Sequence, residues 1–208
     1  MIITEIVSFD NKRAKVFIDG EFAFLLYKGE IRQYKLEAGE EISSPVFNEI
    51  MEAVLPKRAK LRAMNLLQKR DYTEYKLREK LKEGLYPEDI IDIAVDYVKS
   101  MRYVDDRRFA EDYIRYRMEN NSRNKMKNDL MMKGVSADII ESGLDECYEE
   151  DPDTELSLCV KLLKKKHYDP DNFTYEEKQK LKAFLFRKGL GNDVIQRAMS
   201  LDTETFQA

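Results

Sequence analysis

His167 is the only histidine in this 208-residue chain, and Cys147 and Cys159 are its only cysteines. A lone imidazole removes every relay that needs two, and most zinc sites with it. Two cysteines are too few for a disulfide scaffold and fit a reducing compartment; both fall on predicted apolar helix faces, as core residues. His167 follows Lys164-Lys165-Lys166 at the expected end of a helix, where positive charge is favoured. The adjacent carboxylates Asp105 and Asp106 would point about 100° apart on a helix, so capping suits them better than paired acid–base work. Asp151-Pro-Asp153-Thr-Glu155 lacks the glycine and distal glutamate of a calcium loop, and neither common glycine-rich phosphate loop is present. The chain is expected to be no enzyme, and to use no cofactor and no metal.

Binding chemistry is better served. Arg58, Arg62, Asn65 and Lys69 follow i, i+4, i+7, i+11, a basic ridge roughly 16 Å long at 1.5 Å per residue. Arg70 and Lys76 continue the basic run, with Lys76–Lys80 and Arg78–Lys82 as further rows on the next helix. Later come Arg115, Arg117, Arg123, Lys125, Lys127 and Lys133, with only Glu119 and Asp129 as acids between 115 and 133. Such surfaces suit acidic protein grooves or phosphate backbones. Nothing reads bases: there is no aromatic ribonucleoprotein motif and no zinc-finger spacing.

These rows need helices to carry them, and the pattern supplies them. Residues 1–35 read as strands, with hairpin turns at Asp10-Asn11 and Asp19-Gly20, the latter among the strongest two-residue hairpin signals. Leu36–Glu41 is a connector; Ser44-Pro45 opens a helix to about Val54, and Pro56 marks its boundary. From there the chain repeats. Leu77, Leu81 and Gly84 align with Met126, Leu130 and Gly134, and with Leu181, Leu185 and Gly189, if the first copy is one residue shorter. Ile90, Ile140 and Ile195 follow each glycine by six residues. Each glycine is expected to stop a helix in the left-handed conformation. Helices over 57–69, 106–119 and 155–166 precede the pairs, each with one apolar stripe. Asp71 with Glu74, and Thr174 with Glu177, fit capping boxes; Pro87, Ser136 and Asn192 start the third helices. Asp145–Asp153 reads as an acidic linker.

The fold class is therefore mainly α, with tandem three-helix repeats in an elongated array, preceded by a small β-hairpin-rich N-terminal domain. The expected boundaries are 1–56, 57–103, 104–150 and 151–208. The net charge of −4 hides segregation: residues 1–56, 57–103, 104–151 and 152–208 carry −4, +4, −5 and +1. A mildly acidic chain can thus still attract a polyanion locally. The longest apolar run, Phe22–Leu26, is far too short to span a membrane, and the first residues lack a secretory signal, so a cytoplasmic location is expected.

The stretch from Ala63 to Leu81 resembles the first repeat of the RecX family. Tyr103-Val-Asp-Asp106-Arg-Arg-Phe109-Ala110-Glu-Asp-Tyr-Ile-Arg-Tyr-Arg117 resembles its most diagnostic segment, and Leu130-Met-Met-Lys-Gly134-Val its leucine-to-Lys-Gly ending. Where family members often carry glycine before the next helix, this chain has Asn121 or Ser122. The resemblance covers about residues 57–201 and implies a cytoplasmic negative regulator of the RecA recombinase. Such a protein would bind the RecA–single-stranded DNA filament and suppress strand exchange, ATP hydrolysis and co-protease activity in recombination and the SOS response. The implied partners are the RecA filament, single-stranded DNA through RecA, and duplex DNA as a further candidate, with no membrane and a monomeric state. Arg58, Arg62, Lys69, Arg70, Lys76, Arg115, Arg117, Arg123, Lys125, Lys127 and Lys133 are the expected contacts. Leu77, Leu81, Gly84, Asp106, Phe109, Ala110, Leu130 and Gly134 are expected to pack and cap. Two other readings compete: a sequence-independent DNA-binding protein acting without RecA, and a helical adaptor with no nucleic-acid role.

Overall fold

The computed structural model describes residues 1–207. It opens with a three-stranded antiparallel sheet, β1 (Ile3–Ser8), β2 (Arg13–Ile18) and β3 (Glu21–Tyr27), in the order β1-β2-β3. Asp19 and Gly20 both take positive φ (50° and 89°), as their hairpin signal requires. At the other turn the Asp10 carboxylate accepts the backbone N–H groups of Lys12 and Arg13 and the Arg13 Nε–H, each at 2.8 Å. Residues 28–33 do not continue as strand. They form helix α1 (Lys28–Gln33), started by the Glu30 carboxylate reaching back to the Tyr27 N–H at 2.8 Å.

Pro56 does not end a helix. Ser43, not Ser44, is the N-cap of α2 (Ser44–Glu49), which runs through a π-helical turn (Ile50–Val54) directly into α3 (Leu55–Leu67). The wider π turn, closed by the Leu55 N–H on the Ile50 carbonyl, comes just before a proline that has no N–H to donate and whose ring crowds the preceding turn.

The remaining helices come in threes. After α3 follow α4 (Glu74–Lys82) and α5 (Glu88–Ser100); then α6 (Asp106–Arg117), α7 (Arg123–Met132) and α8 (Ala137–Glu150); then α9 (Thr154–Lys165), α10 (Tyr175–Arg187) and α11 (Asn192–Met199), with a short α12 (Thr203–Gln207). In each set the first and third helices make the most extensive contact. The chain divides into two compact units, residues 1–105 and the part from Asp106 onward. In the first, one core runs from Ile3, Val16 and Phe24 of the sheet through Ile50 and Ala59 to Leu77, Leu81 and Ile91. The second holds two cores, one around Ala110, Ile114, Met126 and Leu130, the other around Cys159, Leu163, Leu185 and Ile195.

Helix ends correct the repeat alignment. Gly134 (φ 79°) and Gly189 (φ 86°) are left-handed stops, but in the first copy the stop is Leu85 (φ 59°), not Gly84. Gly84 serves packing instead, since a Cβ there would lie 2.9 Å from the Tyr86 ring. Leu81–Leu85, Leu130–Gly134 and Leu185–Gly189 are then equally spaced, no gap is needed, and the N-caps Pro87, Ser136 and Gly191 each stand two residues beyond the stop. Gly191 thus replaces Asn192 as the cap of α11. Thr73 rather than Asp71 caps α4, accepting the Lys76 N–H at 3.2 Å, whereas Thr174 and Glu177 form the expected box. The acidic stretch expected as a linker from Asp145 is helical through Glu150.

Candidate functional site

On α3 the expected ridge divides. Arg58 turns inward: its guanidinium donates to the Leu25 carbonyl at 3.0 Å and to the Glu30 carboxylate, and lies 4.7 Å from the centre of the Tyr27 ring. Only 18% of its side chain is exposed. Arg58 therefore ties the repeat to β3 and α1. Arg62 is exposed and has no ion pair among the described residues. Lys69 and Arg70 are also exposed, in the turn beyond α3, with Arg70 4.6 Å from the Tyr72 ring centre. Lys76 pairs with Glu79 at 3.6 Å. Next to them Arg78 bridges Glu74 (3.0 Å) and Asp92 (2.6 Å), while Lys99 holds the other oxygen of Glu74 at 2.6 Å. Burial would raise the Glu74 pKa, but the bonds from Lys99 and Arg78 outweigh it and leave it below the usual carboxylate range.

The second repeat neutralises much of its own charge. Helix α8 carries two acidic rows at i, i+4. Glu141 and Asp145 face α7, where Arg123 meets them at 3.2 and 2.6 Å and Lys127 also binds Glu141. Glu146 and Glu150 face α6, pairing with Arg107 and Arg115, each at 2.5 Å. The bonds from Lys127 and then Arg123 depress the Glu141 pKa. Arg117 and Lys133 lie near the Tyr113 ring, 4.8 and 5.6 Å from its centre, and Tyr113 donates to Asp129 at 2.9 Å. Burial, then that bond, pushes the Tyr113 hydroxyl up to about 12. Lys125 is exposed, with no side-chain partner among the described residues. Phe109 stacks on Tyr113 with ring centres 6.4 Å apart, Ala110 and Leu130 are fully buried, and Asp106 is the first residue of α6.

Ser122 is a buried joint between the second and third repeats. It accepts the Lys125 N–H at 3.3 Å as the N-cap of α7 and donates to the Lys188 carbonyl at 2.7 Å. Asn124 donates to the Gly189 carbonyl at 3.0 Å, and the Arg123 N–H to Glu155 at 2.9 Å. Burial raises the Glu155 pKa despite that bond.

The third repeat carries the cations that the sequence reading passed over. Residues 154–201 hold ten lysines and arginines against six acids. Among the described residues, Arg197 alone of the ten makes an ion pair, with Asp153 at 3.8 Å. The runs Lys164-Lys165-Lys166 and Arg187-Lys188 are the signal in the sequence, diluted by Asp153, Asp202 and Glu204 at the margins of the repeat. Both cysteines are buried, and burial pushes Cys159 up to about 11, so neither is a ready nucleophile. The chemistry on offer is recognition of negative charge.

Three family models match the chain in succession: the first three-helix domain of RecX over residues 59–97, the second over 105–144 and the third over 153–199. A protein of Caldanaerobacter subterraneus named "Regulatory protein RecX" is 31% identical over 203 residues, spanning 97% of this chain and 100% of the relative. A protein of the same name from Clostridium perfringens is 36% identical over 190 residues, 87% of this chain and 85% of the relative. Among solved structures, one described as the regulatory protein RecX superposes with a TM-score of 0.65 at 22% identity, covering 96% of this chain and 99% of its own. RecX from Lactobacillus salivarius gives 0.60 at 23%, covering 71% and 96%. At these identities the two structures establish the fold.

Proposed function

The chain belongs to the RecX family, and from that premise we propose that it is a non-enzymatic negative regulator of RecA. It docks on the RecA–single-stranded DNA filament and suppresses strand exchange, ATP hydrolysis and co-protease activity, acting as a monomer in the cytoplasm during recombination and SOS repair. The observation that carries this reading is that the three matched repeats each present open cations. Several modest contacts made along a repetitive polymer add through effective concentration, and no single strong site is required. The contacts we assign are Arg62, Lys69 and Arg70 in the first repeat and Arg117 and Lys125 in the second, joined by Lys76, which exchanges Glu79 for the partner, and by Lys133 beside the Tyr113 ring. Arg58, Arg115, Arg123 and Lys127 use their charge within the fold and act as scaffold. No helix among the described residues is long and apolar enough to cross a membrane.

The alternative is sequence-independent DNA binding without RecA, which the unpaired cations of the third repeat favour. One titration separates the two: RecA ATP hydrolysis on single-stranded DNA, measured with increasing protein at low and moderate salt. The filament regulator lowers hydrolysis at concentrations too low to occupy bare DNA. Inhibition that appears only when the DNA itself is saturated by this protein would establish the alternative.

A further inference from the structure

The third repeat contains a groove of ≈ 320 Å³ between the end of α9 and the face of α10, lined by Lys166, Phe173, Lys180, Phe184 and Arg187. Phe184 is half-buried on its floor, with the Lys166 Nζ 5.0 Å and the Lys188 Nζ 5.6 Å from the ring centre. Glu177 is the one carboxylate among the lining residues, and it is occupied: its Oε2 accepts the Thr174 N–H and Oγ–H, each at 2.8 Å. Lys166, Lys180, Arg187 and Lys188 have no ion pair among the described residues. They stand in contrast to the second repeat, where α8 supplies an acid to Arg107, Arg115, Arg123 and Lys127.

We infer that this groove binds single-stranded DNA, with Lys166, Lys180 and Lys188 on its phosphates and Phe184 beneath a base. Two ammonium groups against one aromatic ring, with Lys180 and Arg187 lining the same groove, call for a ligand that has both negative charge and a planar face. A nucleotide has both, whereas an acidic peptide offers the charge without requiring the ring. A phenyl ring stacks only on a base free of its neighbours, which selects an unpaired strand over duplex. The two ammonium groups that rest against Phe184 in the free protein exchange the ring for phosphate and leave its face to the base. The inference deepens the filament reading by supplying its contact to the DNA strand, but it is tested without RecA.

The measurement is fluorescence anisotropy of a labelled oligothymidylate with the full-length protein across a range of salt. The combined variant Lys166→Ala, Lys180→Ala, Lys188→Ala, all at exposed positions, should weaken binding about ten-fold or more and flatten the slope of log affinity against log salt by about 2, or about 0.7 per lost phosphate contact. Phe184→Leu should weaken binding about ten-fold at every salt concentration and leave the slope unchanged. If Phe184→Leu melts well below the parent, the lysine variant alone decides. Parental affinity and slope in the lysine variant would overturn the inference, as would equal affinity for duplex. Loss of RecA inhibition with strand binding intact in that variant would also overturn it, because the groove would then meet protein. A parent protein that binds the strand through the groove but leaves RecA hydrolysis untouched would refute the filament reading and leave this site standing.

Discussion

Arg58 and Arg62 are one helical turn apart on α3, yet the fold puts them to different uses. Truncating Arg58 takes the guanidinium away from the Glu30 carboxylate, which keeps the Tyr27 N–H, and from the carbonyl of the buried Leu25. Arg58→Ala should cost about 1–3 kcal/mol in chemical denaturation, and Arg62→Ala less than about 0.5 kcal/mol. Equal costs would show that Arg58 is no more structural than its exposed neighbour. Glu155 supplies a pH test. Its folded pKa lies above the ordinary 4.5, so the folded state binds the extra proton and loses stability as pH rises through the interval above that value. Glu155→Gln, which can still accept the Arg123 N–H, should raise Tm at about pH 7 and leave it unchanged at about pH 3. A lower Tm at neutral pH would mean that the charge of Glu155 is stabilising.

Helix α8 acts as a unit, an internal counter-charge for α6 and α7. Exposed pairs are each worth about 0–1 kcal/mol, so their effect on the external field matters more than their effect on stability. The variant Glu141→Gln, Asp145→Asn, Glu146→Gln, Glu150→Gln should release Arg115, Arg123 and Lys127, leave Arg107 with Glu111, and elute from a heparin column at higher salt than the parent. The control Glu5→Gln, Glu37→Gln, Glu40→Gln, Glu52→Gln makes the same change in net charge at exposed positions elsewhere. Equal shifts for both would show that net charge alone governs binding. Elements also show what was legible. The amphipathic helices and the Thr174–Glu177 box were readable because both signals lie within one or two turns. Helix α1 was not, because Lys28–Gln33 has no apolar stripe and is started by one reaching carboxylate. Leu85 was hidden by Gly84, since a glycine attracts the left-handed assignment even where its real constraint is the neighbouring Tyr86 ring.

At the scale of the whole molecule, the proposed regulation draws on many contacts acting together. Arg62→Glu, Lys69→Glu, Arg70→Glu should shift the midpoint of RecA inhibition to several-fold higher concentration, with the parental melting curve retained. Arg58 is left out because its reversal would strike the fold. Parental inhibition by this variant would remove the first repeat from the interface.

The sequence by itself determined three helical repeats, their apolar faces and most of their ends. Periodicity, proline and capping residues act over a few neighbouring positions, so their consequences can be read locally. Only the tertiary structure decided which cations remain open to a partner. The acids that silence Arg115 and Lys127 lie 35 and 14 residues away along the chain, and they meet their partners only because packing brings the faces of α8 against α6 and α7. Charge is carried by residues, but its availability is settled by which helix faces touch.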